Sequence, residues 1–335
     1  MATLSTGMLT LADWAKRLDP DGKIETKIAE MLSQTNEVLE DAVFREGNLP
    51  TGHLSTIRTG LPPVYWRSIN QGVPRGKSTT AQVTESCGML EAYAAIDKDE
   101  AELNGNTAAY RLSEDRAFLE AMNQAQADTL FYGNPATDPR QFLGFSPRYS
   151  VISGAGNAQN VIDAGGTSTN NASIWLVVWG EDTVFCPFPK GSKAGLVSED
   201  DGVLTIYDAN GNPFKAYQTH YQWKNGLVVK DWRYVVRICN INTANLVAES
   251  SAADLIKLMS RALDRVPNLN MGRAAFYMNR TLYSMLRIQA LNKSSSAIAI
   301  RPAMTQFGDA TNWLDFFGVP LRKVDRLLNT EARVV

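Results

Sequence analysis

GNLPTGHLSTIRTGLPPVYWRSINQGVPRGKSTTAQVT, residues 47–84, contains no aspartate or glutamate yet carries Arg58, Arg67, Arg75 and Lys77. Thr, Val, Tyr and Trp alternate with other residues on either side of an Asn70-Gln71-Gly72 break. Alternation around a turn signal predicts an extended, positively charged β-hairpin. A lone two-stranded hairpin is marginally stable in water. An arm this long, with so little apolar content, loses conformational entropy without burying area unless it lies against another surface. The surface expected is that of a neighbouring subunit.

On the N-terminal side the chain reads as helical. A short helix is expected from Thr10, with Asp13 three residues on, to Leu18-Asp19-Pro20. A second follows, with Ile24, Ile28, Met31, Leu32, Thr35, Val38, Leu39, Ala42 and Val43 at three- and four-residue spacing and Gly47 as its stop. On the C-terminal side, residues 89–103 return toward the body and Asn104-Gly105 marks a turn. The clearest helix comes next: Ser113 as N-cap, Glu114 and Asp115 in the first turn, a stop at Gly133-Asn134-Pro135. Phe118, Leu119, Met122, Ala125, Thr129 and Leu130 form its buried stripe, and Ala117, Ala121 and Ala127 allow close packing.

Residues 153–172, rich in Gly, Asn, Ala and Ser, read as a loop. Residues 173–185 read as a buried strand pair bent at Trp179-Gly180. Asn210-Gly211 and Asn225-Gly226 punctuate residues 202–241 into a β-meander of two hairpins. The last third reads as α/β: a helix capped by Ser251 and stopped by Pro267, a strand at 273–278 feeding a helix capped by Asn279, and strands at 319–324 and 327–334.

Composition narrows the function. With 335 residues, 44% hydrophobic and 20% charged, the chain can bury one large or two intertwined domains. A formal charge of -2 argues against a protein that grips nucleic acid by counterion release, so DNA nearby would be contained. Cys87, Cys186 and Cys239 are too far apart for a metal clip or a disulfide framework, and read as buried small hydrophobes. The first residues lack signal-peptide character, and the apolar run at 175–179 is too short to span a bilayer, so synthesis in the cytoplasm and no membrane are expected.

Reactive constellations are weak. His53 sits in a Pro/Gly turn and His220 amid Tyr217, Tyr221 and Trp223, neither beside a nucleophile motif. Gly154-Ala155-Gly156 has Gln159 where a dinucleotide loop needs its third glycine, and Gly191-Ser192-Lys193 lacks the phosphate-loop spacing. The acidic pairs Asp97/Asp99, Glu100/Glu102, Glu114/Asp115 and the run Glu199/Asp200/Asp201 fit solvated or capping roles better than general acid/base work. No catalytic, cofactor-binding or metal-ligating set is expected, and the chain does not read as an enzyme.

Helical arm, extended loop, long helix with its meander, and α/β close follow in an order that resembles the major capsid protein of tailed double-stranded DNA bacteriophages, the Hong Kong 97-type fold. Ala274-Ala-Phe-Tyr-Met-Asn-Arg-Thr-Leu-Tyr-Ser-Met-Leu286 looks like the strand-to-helix step of that family's axial domain, and Phe317-Gly-Val-Pro-Leu-Arg-Lys-Val-Asp325 like its closing strand. The resemblance implies an α+β fold with an N-terminal arm (1–46), an extended loop (47–92), a peripheral domain (93–145 and 196–248) and an axial domain (146–195 and 249–335). It implies self-assembly into hexamers and pentamers of an icosahedral head that holds double-stranded DNA without reading its sequence, and a maturing procapsid. It also implies partners: further copies of the chain, a scaffolding protein, a portal, and in some relatives a cementing or decoration protein.

A separate scaffold is the expectation because about ten residues precede the first expected helix. Some relatives weld the loop to a neighbour through a Lys-Asn bond; Lys77 is the loop's one lysine and has no identifiable partner Asn, so no weld is expected. The hairpin cations Arg58, Arg67, Arg75 and Lys77 are expected to meet Glu114, Asp115 and Glu120 of the adjacent long helix. Other readings are an encapsulin-like compartment, a tail or decoration protein, and a hydrolase if a carboxylate pair lay buried in a pocket.

Overall fold

The computed structural model describes residues 34–103, 107–154, 156–208, 210–292, 298–304 and 310–335. A short helix α1 (Val38–Asp41) precedes β1 (Phe44–Glu46), β2 (Gly52–Gly60) and β3 (Thr79–Asp97), then α2 (Lys98–Glu102) and the long α3 (Thr107–Tyr132). α4 (Phe145–Arg148) leads into β4 (Val161–Asp163), β5 (Asn171–Trp179), β6 (Val184–Phe188), β7 (Leu196–Tyr207), β8 (Pro213–Gly226), β9 (Val228–Val229) and β10 (Val235–Asn242). The chain closes with α5 (Thr243–Val247), α6 (Leu255–Arg265), β11 (Arg273–Met278), α7 (Arg280–Asn292), β12 (Ile298–Met304), β13 (Ala310–Phe316) and β14 (Val319–Lys323).

Among the described residues these strands form two sheets. The larger runs β1-β6-β5-β11-β14-β13-β12, with β10 joined to β4 and β5 and β9 to β6; the smaller runs β2-β3-β8-β7. β5 explains the layering. Every residue of Asn171–Trp179 is buried, and side chains alternate across a strand. Ile174, Leu176 and Val178 therefore pack on one face with Leu258 and Met259 of α6 and Leu282 and Leu286 of α7. Trp175, Val177 and Trp179 pack on the other with Val38, Phe131, Phe145 and Tyr149. Helices on both faces are what a strand buried on both faces requires.

Helix α3 bridges the sheets. Phe118, Leu119 and Met122 lie against Leu90, Ala92, Ala94, Tyr221 and Trp223 of the smaller sheet. Its last turn drives Leu130 and Phe131 into the larger sheet's core, with the Phe131 ring 6.0 Å from Trp175 and 5.7 Å from Phe145. Aromatic pairs at such spacings add about 0.5–1.5 kcal/mol beyond area burial. Two ion pairs shielded from solvent pin α1 and the segment around Glu331 to the larger sheet. Arg322 grips Asp41 of α1 at 2.9 Å from two nitrogens, and the Tyr277 hydroxyl donates to the same carboxylate. Arg237, stacked 5.0 Å from the Trp175 ring, donates to Glu331 at 2.9 Å, which also accepts from the hydroxyls of Tyr132 and Ser173.

Several local expectations are corrected. The helix expected from Thr10 and the first part of the one at 24–43 lie outside the described residues; the latter's described end is helical only over Val38–Asp41, because the chain then extends to pair Phe44 with Cys186. α3 starts at Thr107, so Ser113 is not its cap, and Ala117 and Ala121 face solvent in the subunit. Residues 161–163 of the expected loop form β4, paired with β10. Asn210-Gly211 does turn β7 into β8, but Asn225-Gly226 is no hairpin: both residues continue β8 along β3, opposite Gly88 and Cys87. A Cβ on Gly226 would stand 2.9 Å from the Ser86 carbonyl, so this glycine permits close approach instead of a turn. β10 then joins the larger sheet. Asp254, not Ser251, caps α6, its carboxylate accepting from Lys257 N. Residues 327–334 make no strand; Asn240 satisfies both backbone groups of Val334 through its side chain, leaving one bridge between Glu331 and Asn171.

Candidate intersubunit contact surface

The acid-free tract folds as the hairpin its alternation predicts: β2 and β3 pair antiparallel from Gly52↔Ser86 to Arg58↔Thr80. Its root is tight. A Cβ on Gly52 would lie 2.0 Å from the Glu85 carbonyl, so only glycine lets the strands meet there. Glu85, the first acid after the tract, is buried, and its carboxylate takes two hydrogen bonds from Arg148 of α4, at 2.6 and 2.8 Å. Arg148 also donates to the carbonyls of Leu143 and Leu227. The hairpin thus leaves the body from a fixed, charge-paired base.

Beyond Gly60 the strands give way to an irregular tip over 61–78, turned by a Gln71 N to Ser68 O hydrogen bond with Asn70 in the left-handed region at φ 67°. The tip corrects the expectation of little apolar content. Leu61, Val64, Tyr65, Trp66 and Ile69 all project into solvent, Trp66 at 104% exposure. Arg58, Arg67, Arg75 and Lys77 are exposed too, and none makes an ion pair among the described residues. Large contiguous apolar exposure rimmed by charge marks an interaction surface. The charges were legible in sequence; Pro62-Pro63-Val64-Tyr65-Trp66 was the signal for the rest.

The expected acidic counterparts are all on α3 but differently engaged. Asp115 borders a recess of about 470 Å³ with Arg111, Leu112, Asp200 and Tyr221. Burial raises its pKa, opposed by the Tyr221 hydroxyl it accepts from and by the Arg111 charge. Arg111 itself holds Asp200 at 2.7 Å. Glu120 accepts from Gln34 N at 2.9 Å and from Gln124 at 2.8 Å. Glu114 is half-buried one position before Asp115. The structure brings these three onto one helix and does not bring them to their own subunit's hairpin cations.

Residues weighed for chemistry serve the fold. His53 packs edge-on to Phe185, and burial first, then Lys230 and Arg45, lowers its pKa. His220 stacks on Tyr93 at 4.3 Å, 3.5 Å from Glu91. Asp97 caps α2, Glu100 accepts from Tyr110, and Glu102 from Tyr217. Burial pushes Cys87 up to about 11 and Cys186 and Cys239 up to about 12, away from reactive thiolates. Among the described residues, no three His, Cys, Asp or Glu stand together as metal ligands, and no helix is long and apolar enough to cross a membrane.

The model of the family "major capsid protein GP7" matches residues 19–335. A chain of the bacteriophage Epsilon15 cryo-EM structure is similar at 32% sequence identity and a TM-score of 0.76, covering 100% of this chain and 99% of that one. The bacteriophage JBD30 capsid covers 89% of this chain and 93% of that one at 8% identity and a TM-score of 0.50, a likeness of fold. No curated protein matches. The two-sheet α+β architecture with its long helix and projecting hairpin is the Hong Kong 97-type capsid fold. The chain belongs to the major capsid protein GP7 family, and it is a structural component of a bacteriophage virion.

Proposed function

We propose that copies of this chain close into the hexameric and pentameric rings of an icosahedral head around double-stranded DNA, each hairpin lying on the adjacent copy. A head-to-tail contact of this kind closes into rings when its rotation permits. The observation that carries the reading is the hairpin tip, whose Trp66 finds no cover on its own subunit. Apolar cover supplies the strength; Arg58, Arg67, Arg75 and Lys77 set the register against Glu114, Asp115 and Glu120, because exposed ion pairs contribute only about 0–1 kcal/mol each.

The chain divides in this reading into an arm (1–46), the loop (47–92), a peripheral part (93–145 with 196–226) and an axial part that takes in β10, since β10 pairs with β4 and β5. The remaining partners are a separate scaffolding protein, a portal and a cementing protein, with assembly in the host cytoplasm; no catalytic role is assigned. Maturation is a population shift in which rings and arms repack when DNA replaces scaffold. Electron microscopy of the chain expressed alone and with its scaffold tests the reading. Closed shells support it; a monomer at every concentration, with the hairpin folded back on its own body, sinks it.

A further inference from the structure

Residues 265–308 form a second stretch without a carboxylate, and they hold Arg265, Arg273, Arg280, Arg287, Lys293 and Arg301. Helix α7 runs through this stretch. It buries Leu282, Met285 and Leu286 against the larger sheet and leaves Arg280, Ser284 and Arg287 exposed. Spacings of four and three residues put those exposed groups on one helical face. A net charge of -2 for the whole chain therefore averages over a locally basic face.

That face is not flat. Thr35 from the N-terminal segment and Lys323 from the end of β14 close a recess of about 330 Å³ against Arg280, Tyr283, Ser284 and Arg287. Two of its cations are held in place: Arg280 by Asp325, at 2.7 and 2.8 Å, and Lys323 with its ammonium 4.7 Å from the centre of the Tyr283 ring. Arg287 makes no ion pair among the described residues. Nearby carboxylates are engaged. Asp325 takes Arg280 and the Thr35 N–H, and Glu37 takes the Lys323 N–H while burial raises its pKa. Three cations and three hydroxyls thus border one opening.

Guanidinium, ammonium and hydroxyl donors around an open recess are the set that positions a phosphate in a polymer, whose chain can run past the opening. We propose that this recess binds a backbone phosphate of double-stranded DNA without reading its sequence. The assignment needs no hairpin docking and stands or falls separately from it.

Full-length chain titrated into a fluorescein-labelled DNA duplex, from about 50 to about 200 mM salt, gives the slope of log affinity against log salt. Arg287→Gln with Lys323→Gln should lower that slope by about 1–2 and weaken binding equally for duplexes of unrelated sequence. Arg287→Gln alone, at an exposed position, should lower it by about 1 with an unchanged melting temperature. The proposal is overturned if the double variant binds as the parent does, or if Arg58→Gln/Arg67→Gln/Arg75→Gln causes the whole loss instead. Displacement of the duplex by polyglutamate at equal charge would assign the recess to an acidic protein. Displacement by inorganic phosphate at constant ionic strength would assign it to the free ion; either result overturns the DNA assignment.

Discussion

Arg148 holds Glu85 through two parallel hydrogen bonds of 2.6 and 2.8 Å, with both side chains shielded from solvent, at the point where the hairpin enters the body. A bidentate guanidinium–carboxylate pair fixes orientation as well as distance. The angle at which the hairpin projects is therefore set by two residues 63 positions apart in sequence. Removing one partner leaves the other charge buried and uncompensated, at a cost of about 3–5 kcal/mol. Arg148→Met should lower the unfolding free energy by about that amount and raise amide exchange at the hairpin root first, as read by denaturant titration and hydrogen exchange.

Trp66→Ala addresses the tip. Its indole touches nothing in the subunit that would hold the fold, so the isolated chain should keep its melting temperature within about 1 °C. Buried aromatic anchors at interfaces carry about 2 kcal/mol or more each, so particle yield by sedimentation should fall sharply. Normal yield would remove the tip from the interface.

Neutralising Arg58, Arg67 and Arg75 together should impair shell formation more mildly than loss of Trp66, and the defect should shrink as salt rises, since screened charges matter less in the parent too. Light scattering during assembly at two ionic strengths checks this. A salt-independent defect would mean that these arginines act through packing.

His53 makes the root pH-sensitive. Its folded pKa lies below the ordinary 6.5, with burial the first cause and Lys230 and Arg45 adding repulsion. The unfolded chain then binds the extra proton more readily than the native one, so stability is complete above about 6.5 and is lost as pH falls toward the folded value. Protection factors of the β2–β3 root amides, corrected for the intrinsic pH dependence of exchange, should fall as pH drops below about 6.5, and His53→Gln should flatten that dependence.

Glu331→Gln tests the C-terminal clamp. Its carboxylate serves Arg237, Tyr132 and Ser173 at once, so removing its charge beside a buried guanidinium should cost about 3 kcal/mol, measured by urea denaturation.

Local signals suffice where local physics decides the outcome. The strand at 273–278 and the Asn279 cap, whose carbonyl accepts from Leu282 N at 2.9 Å, stand as the sequence implied, as do the hairpin and the Asn210-Gly211 turn. Where tertiary contacts override propensity, local composition misleads. Asn225-Gly226 has the composition of a turn but pairs along β3, and residues 327–334 have strand-like composition but find separate partners, Leu328 N at the Tyr132 hydroxyl, Glu331 N at the Asn171 carbonyl and Val334 at the Asn240 side chain. The same division holds at the contact surface. Missing carboxylates are visible one residue at a time, whereas the Arg148–Glu85 base depends on a meeting that no short-range pattern encodes.

Helix α3 has one half lying along the smaller sheet and the other end plugged among Phe145, Trp175 and Tyr277. A rod seated at both ends behaves as a strut: tilting one sheet relative to the other must flex the rod or unseat an end. Differences in curvature between five-fold and six-fold positions in a shell would then appear as a measurable bow in this single helix, with the aromatic socket at its far end as the fulcrum.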